Sequence, residues 1–224
     1  MKCSNLKTQI CKIEAADYER AKEIQSELAT KINLNDDLSA IEKVAGLDVG
    51  FEYENSLAIG GIVILSYPGF EVIEKRISRR KIIFPYVPGY LSFREIPVLL
   101  QAYDKIRNKP DLVICDGQGI AHPRRFGLAC HLGILLDLPA IGAGKSRLIG
   151  HYTEPSLSRG ACSPLIHKGE IIGGVVRSRQ GTKPLFVSPG HKISINSAIA
   201  WTLKCCPKYR IPETTRQAHR LVSG

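Results

Sequence analysis

Apolar positions near the start of the chain fall at mixed three- and four-residue spacings: Ile10, Ile13, Ala16 and Tyr18, then Ile24, Leu28 and Ile32, with charges between them. That spacing predicts a helix over about residues 5–32. The period then drops to two. Val44–Glu52 and Leu57–Tyr67 read as strands joined by a turn at Glu54-Asn55-Ser56, and Pro68-Gly69 marks a second turn. Glu71–Arg80 sets Val72, Glu74 and Arg76 against Ile73, Lys75 and Ile77, completing a three-stranded meander. Ile83–Gly89, with two prolines and two aromatics, is a loop. Beyond it, helices at Arg94–Arg107 and Pro123–Leu136 alternate with strands at Asp111–Cys115 and Pro139–Gly142. Pro97 is placed near a helix start, where proline is tolerated. Strands at Glu170–Arg177 and Leu185–Ser188 lead to helices at Ile193–Lys204 and Glu213–Val222. A meander followed by alternating helices and strands predicts an α/β protein: a mixed sheet with helices on its faces, in one domain spanning 1–224.

Composition narrows the partners. The 224 residues carry 31 Lys+Arg against 21 Asp+Glu, a formal charge of +10, which favours a polyanion such as nucleic acid. Lys75, Arg76, Arg79, Arg80 and Lys81 cluster just before the Ile83–Gly89 loop and are read as phosphate contacts. Seven cysteines, an odd number with no C-x-x-C pair, signal neither zinc nor a disulfide framework, so a reducing compartment is expected. No apolar run approaches the roughly 20 residues of a membrane span, and no signal peptide is read. A cytoplasmic monomer with no membrane partner is expected.

The candidate chemistry lies in carboxylates set in apolar surroundings. Asp48 interrupts AGLDVGFE and Asp116 ends PDLVICDGQG. Singly, each has an ordinary explanation: an ion pair for Asp48, a turn before Gly117 for Asp116. With Glu95 after the proline-rich loop, they make three hard oxygen donors from a first strand, a helix and a central strand. Such a set without Cys or His suits Mg²⁺ or Mn²⁺ and phosphodiester hydrolysis. Pro85-Tyr86-Val87-Pro88 holds an aromatic in a stiff loop, either packed or free to enter a base stack. Gly144-Lys145-Ser146 invites a phosphate-loop reading, but Pro139 stands where that pattern requires glycine, so no nucleotide cofactor is expected. Lys145 is read instead as a point charge for a phosphate. His191 is either a surface loop histidine or a general base. His122, beside Pro123-Arg124-Arg125, is read first as a loop hydrogen-bonding group and second as a phosphate contact.

These segments carry a resemblance. LDVGFE (47–52), FPYVPGYLSFRE (84–95), DGQGIAHPRRFGLACHLG (116–133), IGAGKSRLIG (141–150) and SPGHKISINSA (188–198) closely resemble the endonuclease V family, over roughly Leu38 to Arg216. The resemblance implies an RNase H-like fold and a Mg²⁺-dependent DNA repair enzyme, with Mn²⁺ able to substitute. Such an enzyme cleaves the second phosphodiester bond 3′ to deoxyinosine, leaving 3′-hydroxyl and 5′-phosphate ends. The alternative is an inosine-specific endoribonuclease of the same fold. By the same resemblance, Asp48, Asp116 and Glu95 are metal ligands, and Lys145 and His191 complete the catalytic set. Tyr86 is a wedge, flanked by Pro85 and Pro88. Gly89, Leu91 and Gly117 line the base pocket, with His122 and Arg124 beside the DNA. Gln118 stands where histidine or asparagine is also familiar. A non-catalytic nucleic-acid-binding domain would have lost an acidic residue, and a junction resolvase would lack the Tyr86 loop.

Overall fold

The computed structural model describes residues 7, 8, 10, 11, 13 and 17–224. Its centre is one sheet of eight strands in the order β3-β2-β1-β4-β5-β8-β7-β6. The meander is β1 (Lys43–Glu52), β2 (Leu57–Ser66) and β3 (Val72–Lys81). β4 (Leu112–Cys115) and β5 (Ala140–Gly144) continue it in parallel with β1, as the intervening helices require. β8 (Leu185–His191), β7 (Glu170–Val176) and β6 (Cys162–His167) close the other side antiparallel. β6 carries no signal in the sequence reading. It is an edge strand with only Leu165 buried, and it holds Pro164, which an edge tolerates.

Alternate residues of each central strand feed two separate cores. Ala45, Leu47, Val113 and Cys115 pack under α1 (Tyr18–Ala29), α2 (Leu91–Tyr103) and α3 (Leu128–Leu136). Val44, Leu112, Ile114 and Ile141 face α4 (Ile195–Lys204) and α5 (Glu213–Ser223). A sheet covered on both faces explains why β2 reads as the nearly continuous apolar run LAIGGIVILS.

Several boundaries differ from expectation for physical reasons. The helix expected over 5–32 is α1, with Lys7, Thr8 and Ile10 also helical but Cys11, Ile13 and Asp17 not; residues 5, 6, 9, 12 and 14–16 lie outside the described set. α2 begins at Leu91, so Pro97 falls inside it rather than near its start. α3 begins at Leu128 rather than Pro123, because the chain turns back through Arg125 (φ 55°) and the Gly127 N–H bonds the Gly119 carbonyl. α4 starts where Ser194 caps it, accepting the Ser197 N–H. No helix among the described residues is long and apolar enough to cross a membrane.

Register places the chemistry. Leu47 pairs with Cys115, so Asp48 and Asp116, one residue on, sit side by side where β4 ends and β1 continues. That is the carboxyl edge of parallel strands, where open α/β sheets bind ligands. Asp48 lies between Gly46 and Gly50 on the face toward α5. A Cβ at Gly46 would come 2.0 Å from the Thr214 carbonyl oxygen, and one at Gly50 would come 3.0 Å from that of Val222. The two glycines therefore let α5 lie directly on β1.

Candidate active site

α5 brings a residue the sequence reading missed. His219 Nδ1 lies 2.8 Å from Asp48 Oδ2, and with a carboxylate as partner this nitrogen is the donor. Nε2 is left as the ring nitrogen that can hold or pass a proton. The available signal was the pattern Gly46-x-Asp48-x-Gly50, small residues flanking a carboxylate on one strand face, which calls for a helix packed close over it.

Three carboxylates share this edge. Burial, reinforced by the charges of Asp48 and Asp116, pushes the Glu95 carboxyl up to about 8. Burial also raises Asp48, offset in part by the His219 hydrogen bond. Lys145, just past β5, forms an ion pair with Asp116. Asp48 and Asp116 thus have protein partners, whereas Glu95 accepts no hydrogen bond from the described residues and stands among like charges. Among the described residues no three His, Cys, Asp or Glu side chains are drawn together as a ready-made metal cluster. The donor set nevertheless suits a hard divalent cation, which would relieve the charge repulsion on Glu95 once Lys145 releases Asp116.

Beside the carboxylates lies a cavity of about 200 Å³ lined by Tyr86, Pro88, Gly89, Leu91, Gly117 and His122 among others. It is smaller than the roughly 300–1,000 Å³ of pockets for drug-sized ligands and suits one flat ring system. Gly117 and Gln118, both in its wall, directly follow Asp116, so cavity and carboxylates share a boundary. Tyr86 is 66 % exposed at its mouth. The loop is anchored by buried Phe84, which packs against Tyr90 and Phe93.

Gly89, at φ 82°, turns its carbonyl inward to three donors. These are Gln25 Nε2 (3.0 Å), His122 Nε2 (3.1 Å) and an Arg124 NH2 (2.5 Å). Burial and then the Arg124 charge push His122 down to about 4, so its ring is neutral. Its Nε2–H donates to Gly89 while Nδ1 accepts the Arg124 N–H at 3.3 Å. Arg124, expected beside DNA, braces the loop: its Nε donates to Gln25 Oε1 at 2.5 Å and its guanidinium lies over the Tyr90 ring. Pro85 is half-buried and is not in the cavity wall.

His191 does not join the carboxylates. It pairs with Ala140, which also pairs with Val113, three residues before Asp116. It therefore lies roughly 10 Å back along the strands and two strands across. There Nδ1 accepts the Asn33 N–H at 3.3 Å and Nε2 stands 3.7 Å from Asp137, while burial lowers its pKa. It ties β8 to the end of α3 and the segment after α1. The basic run lies on β3, an edge strand. Arg76 pairs with Glu74 and Arg80 bonds the Cys11 carbonyl, while Lys75 and Lys81 remain exposed.

Sheet, covering helices and carboxylate edge place the protein in the RNase H-like α/β class. A sequence model described as endonuclease V matches residues 26–220, wider than the 38–216 expected. An endonuclease V from Trichormus variabilis is 51 % identical over 207 residues, covering 92 % of this chain and 94 % of its own length. The crystal structure of endonuclease V from Streptomyces avermitilis superposes with a TM-score of 0.88 at 41 % identity, covering 92 % and 91 % of the two chains. The Ciona intestinalis endonuclease V, crystallised with a 24-mer DNA containing an inosine followed by a ribo-adenosine, gives 0.79 at 32 % identity, covering 91 % and 95 %. The chain belongs to the endonuclease V family.

Proposed function

We propose that the protein is a DNA repair endonuclease that recognises deoxyinosine and hydrolyses the second phosphodiester bond on its 3′ side, leaving 3′-hydroxyl and 5′-phosphate ends. The observation that carries this reading is the shared wall: a base-sized cavity opens one residue from Asp116. The cavity would take the extruded hypoxanthine, with Tyr86 entering the gap in the stack. A mispaired base is cheaper to extrude, which adds to selectivity. The work is that of a monomer in the cytoplasm.

Asp48, Glu95 and Asp116 would hold Mg²⁺, or Mn²⁺ in its place. When bound, that cation supplies charge neutralisation at the phosphate and a more acidic attacking water. The chain's own groups do the rest. His219, held by Asp48, is placed to orient the attacking water and to take its proton at Nε2. Lys145, freed from Asp116, turns its ammonium to the scissile phosphate. Glu95, protonated when its neighbours are charged, would serve as a ligand in its ionised form.

The test is cleavage of matched strands carrying one inosine, as DNA and as RNA, with Mg²⁺ and with EDTA. A nick two bonds 3′ to deoxyinosine that requires Mg²⁺ is expected. Cutting at undamaged sites would refute the base reading. Preference for the RNA strand would favour an inosine-specific ribonuclease, a reading the inosine–ribo-adenosine junction in the Ciona complex brings into view.

A further inference from the structure

Ser92 and His131 form a pair that this chemistry does not use. Ser92, in the first turn of α2, reaches the cavity wall at 4 % exposure. Its Oγ is 3.0 Å from His131 Nδ1, and its hydroxyl has no other hydrogen bond with the described residues. His131, on α3, is 0 % exposed, its ring edge-on to Phe93 and tilted against Phe126. Its Nε2 has no partner among the described residues.

The proton on that ring decides what Ser92 can do. Burial pushes His131 down to about 3, so the imidazole is neutral and carries one proton. On Nε2 the proton would leave an N–H donor orphaned in an apolar core, which is rarer in folded proteins than an acceptor left bare. On Nδ1 it donates to Ser92 Oγ. Ser92 then accepts from His131, and its own hydroxyl proton is free for a partner in the cavity.

We propose that Ser92 is a specificity-determining residue whose hydroxyl donates to the 6-oxo oxygen of the extruded base, with His131 as the positioning residue that turns it there. This rests on the reading of the cavity as a base site. Adenine would present an amino donor in place of that acceptor, and even with Oγ accepting it on the second lone pair, the buried hydroxyl proton would be left without a partner. A site built to hydrogen-bond one group rejects the analogue that lacks it far more strongly than a merely snug pocket does.

The experiment compares single-turnover kcat/KM on a duplex with one deoxyinosine and on the same duplex with its 6-thio analogue. The analogue keeps the N1–H and replaces oxygen by a poor acceptor. Ser92→Ala is expected to lose roughly 10-fold on inosine, the scale of one hydrogen bond, and little on the thio base. His131→Leu should lose a similar factor on inosine, with no further loss when combined with Ser92→Ala. Should His131→Leu fail to fold, the Ser92 comparison still decides. Equal losses on both bases, or none on inosine, overturn the proposal. Wild-type protein that ignores inosine altogether would instead refute the base reading and remove the ground beneath this one.

Discussion

Replacing Glu95 by glutamine should abolish Mg²⁺-dependent nicking and, at alkaline pH without metal, make the protein more stable. The carboxyl moves from 4.5 to about 8 on folding, so the native state holds a proton that the unfolded chain releases. Native stability therefore falls as pH rises through that window, and it does not fall for glutamine, which cannot ionise. At 1.36 kcal/mol per tenfold change in the proton equilibrium, the ceiling is roughly 5 kcal/mol. Solvent screening at a half-buried carboxyl reduces this to about 2 kcal/mol. For a domain of this size that raises Tm by about 4–8 °C. The assay is thermal unfolding of wild type and Glu95→Gln in EDTA from pH 5 to 9, repeated in excess Mg²⁺. The gap should open between about pH 4.5 and 8 and level off above. Mg²⁺ should close it by stabilising wild type, since a ligand that binds only the native state adds stability by mass action. A gap that is flat with pH, or an equal Mg²⁺ response in both proteins, would refute the placing of Glu95 among Asp48, Asp116 and a cation.

Two histidines should separate cleanly. His219→Ala should lower single-turnover cleavage by about 10²-fold or more, the scale of a lost proton-transfer group. His191→Ala should leave cleavage near wild type and lower Tm instead, and the reverse pattern would restore His191 to the catalytic set. Tyr86→Ala should weaken binding to inosine duplex by about 1–3 kcal/mol and to undamaged duplex by much less; equal losses in a titration would remove its wedge role. Gly46→Ala sets a methyl 2.0 Å from the Thr214 carbonyl oxygen and should cost roughly 1–3 kcal/mol. Because it displaces α5, cleavage should fall along with stability, and full activity in the folded variant would deny that α5 contributes to the site.

The meander, the central strands and the carboxylates of Asp48 and Asp116 were legible because each depends on local pattern, and Glu95 stood out only beside them. Alternation in β3 and the apolar runs of β1, β2 and β4 report burial directly, and a lone acid within such a run stands out. The histidine was not legible in the same way. His191 follows Pro189-Gly190 at a strand end, a setting that invites a catalytic reading, whereas His219 sits in the polar helix TTRQAHRL. Only packing of α5 across Gly46 and Gly50 brings it to Asp48, a contact 171 positions apart in the chain. The partners of Arg124 were hidden for a related reason: its neighbours in sequence suggest a phosphate contact, while Gln25 and Gly89, which it bonds, are 99 and 35 positions away. The glycines that line the cavity were expected there from the family resemblance rather than from physics, since nothing local distinguishes Gly117 from any turn glycine.

The three-way bond at the Gly89 carbonyl means that the stiffness of the Tyr86 loop is borrowed. Two of its guy lines, His122 and Arg124, come from the turn before α3, but the third, Gln25, is 1 % exposed and belongs to α1. Gln25 also accepts from Arg124, so it steadies one of the other two lines as well. The span shared with the family model opens at residue 26, one position too late to include it. A protein shortened to that border would keep every carboxylate and every cavity glycine. It would have lost one line and the brace on a second, and the tyrosine, held less firmly, would have more order to gain each time it entered a duplex, a cost in binding that no residue near the scissile bond would explain.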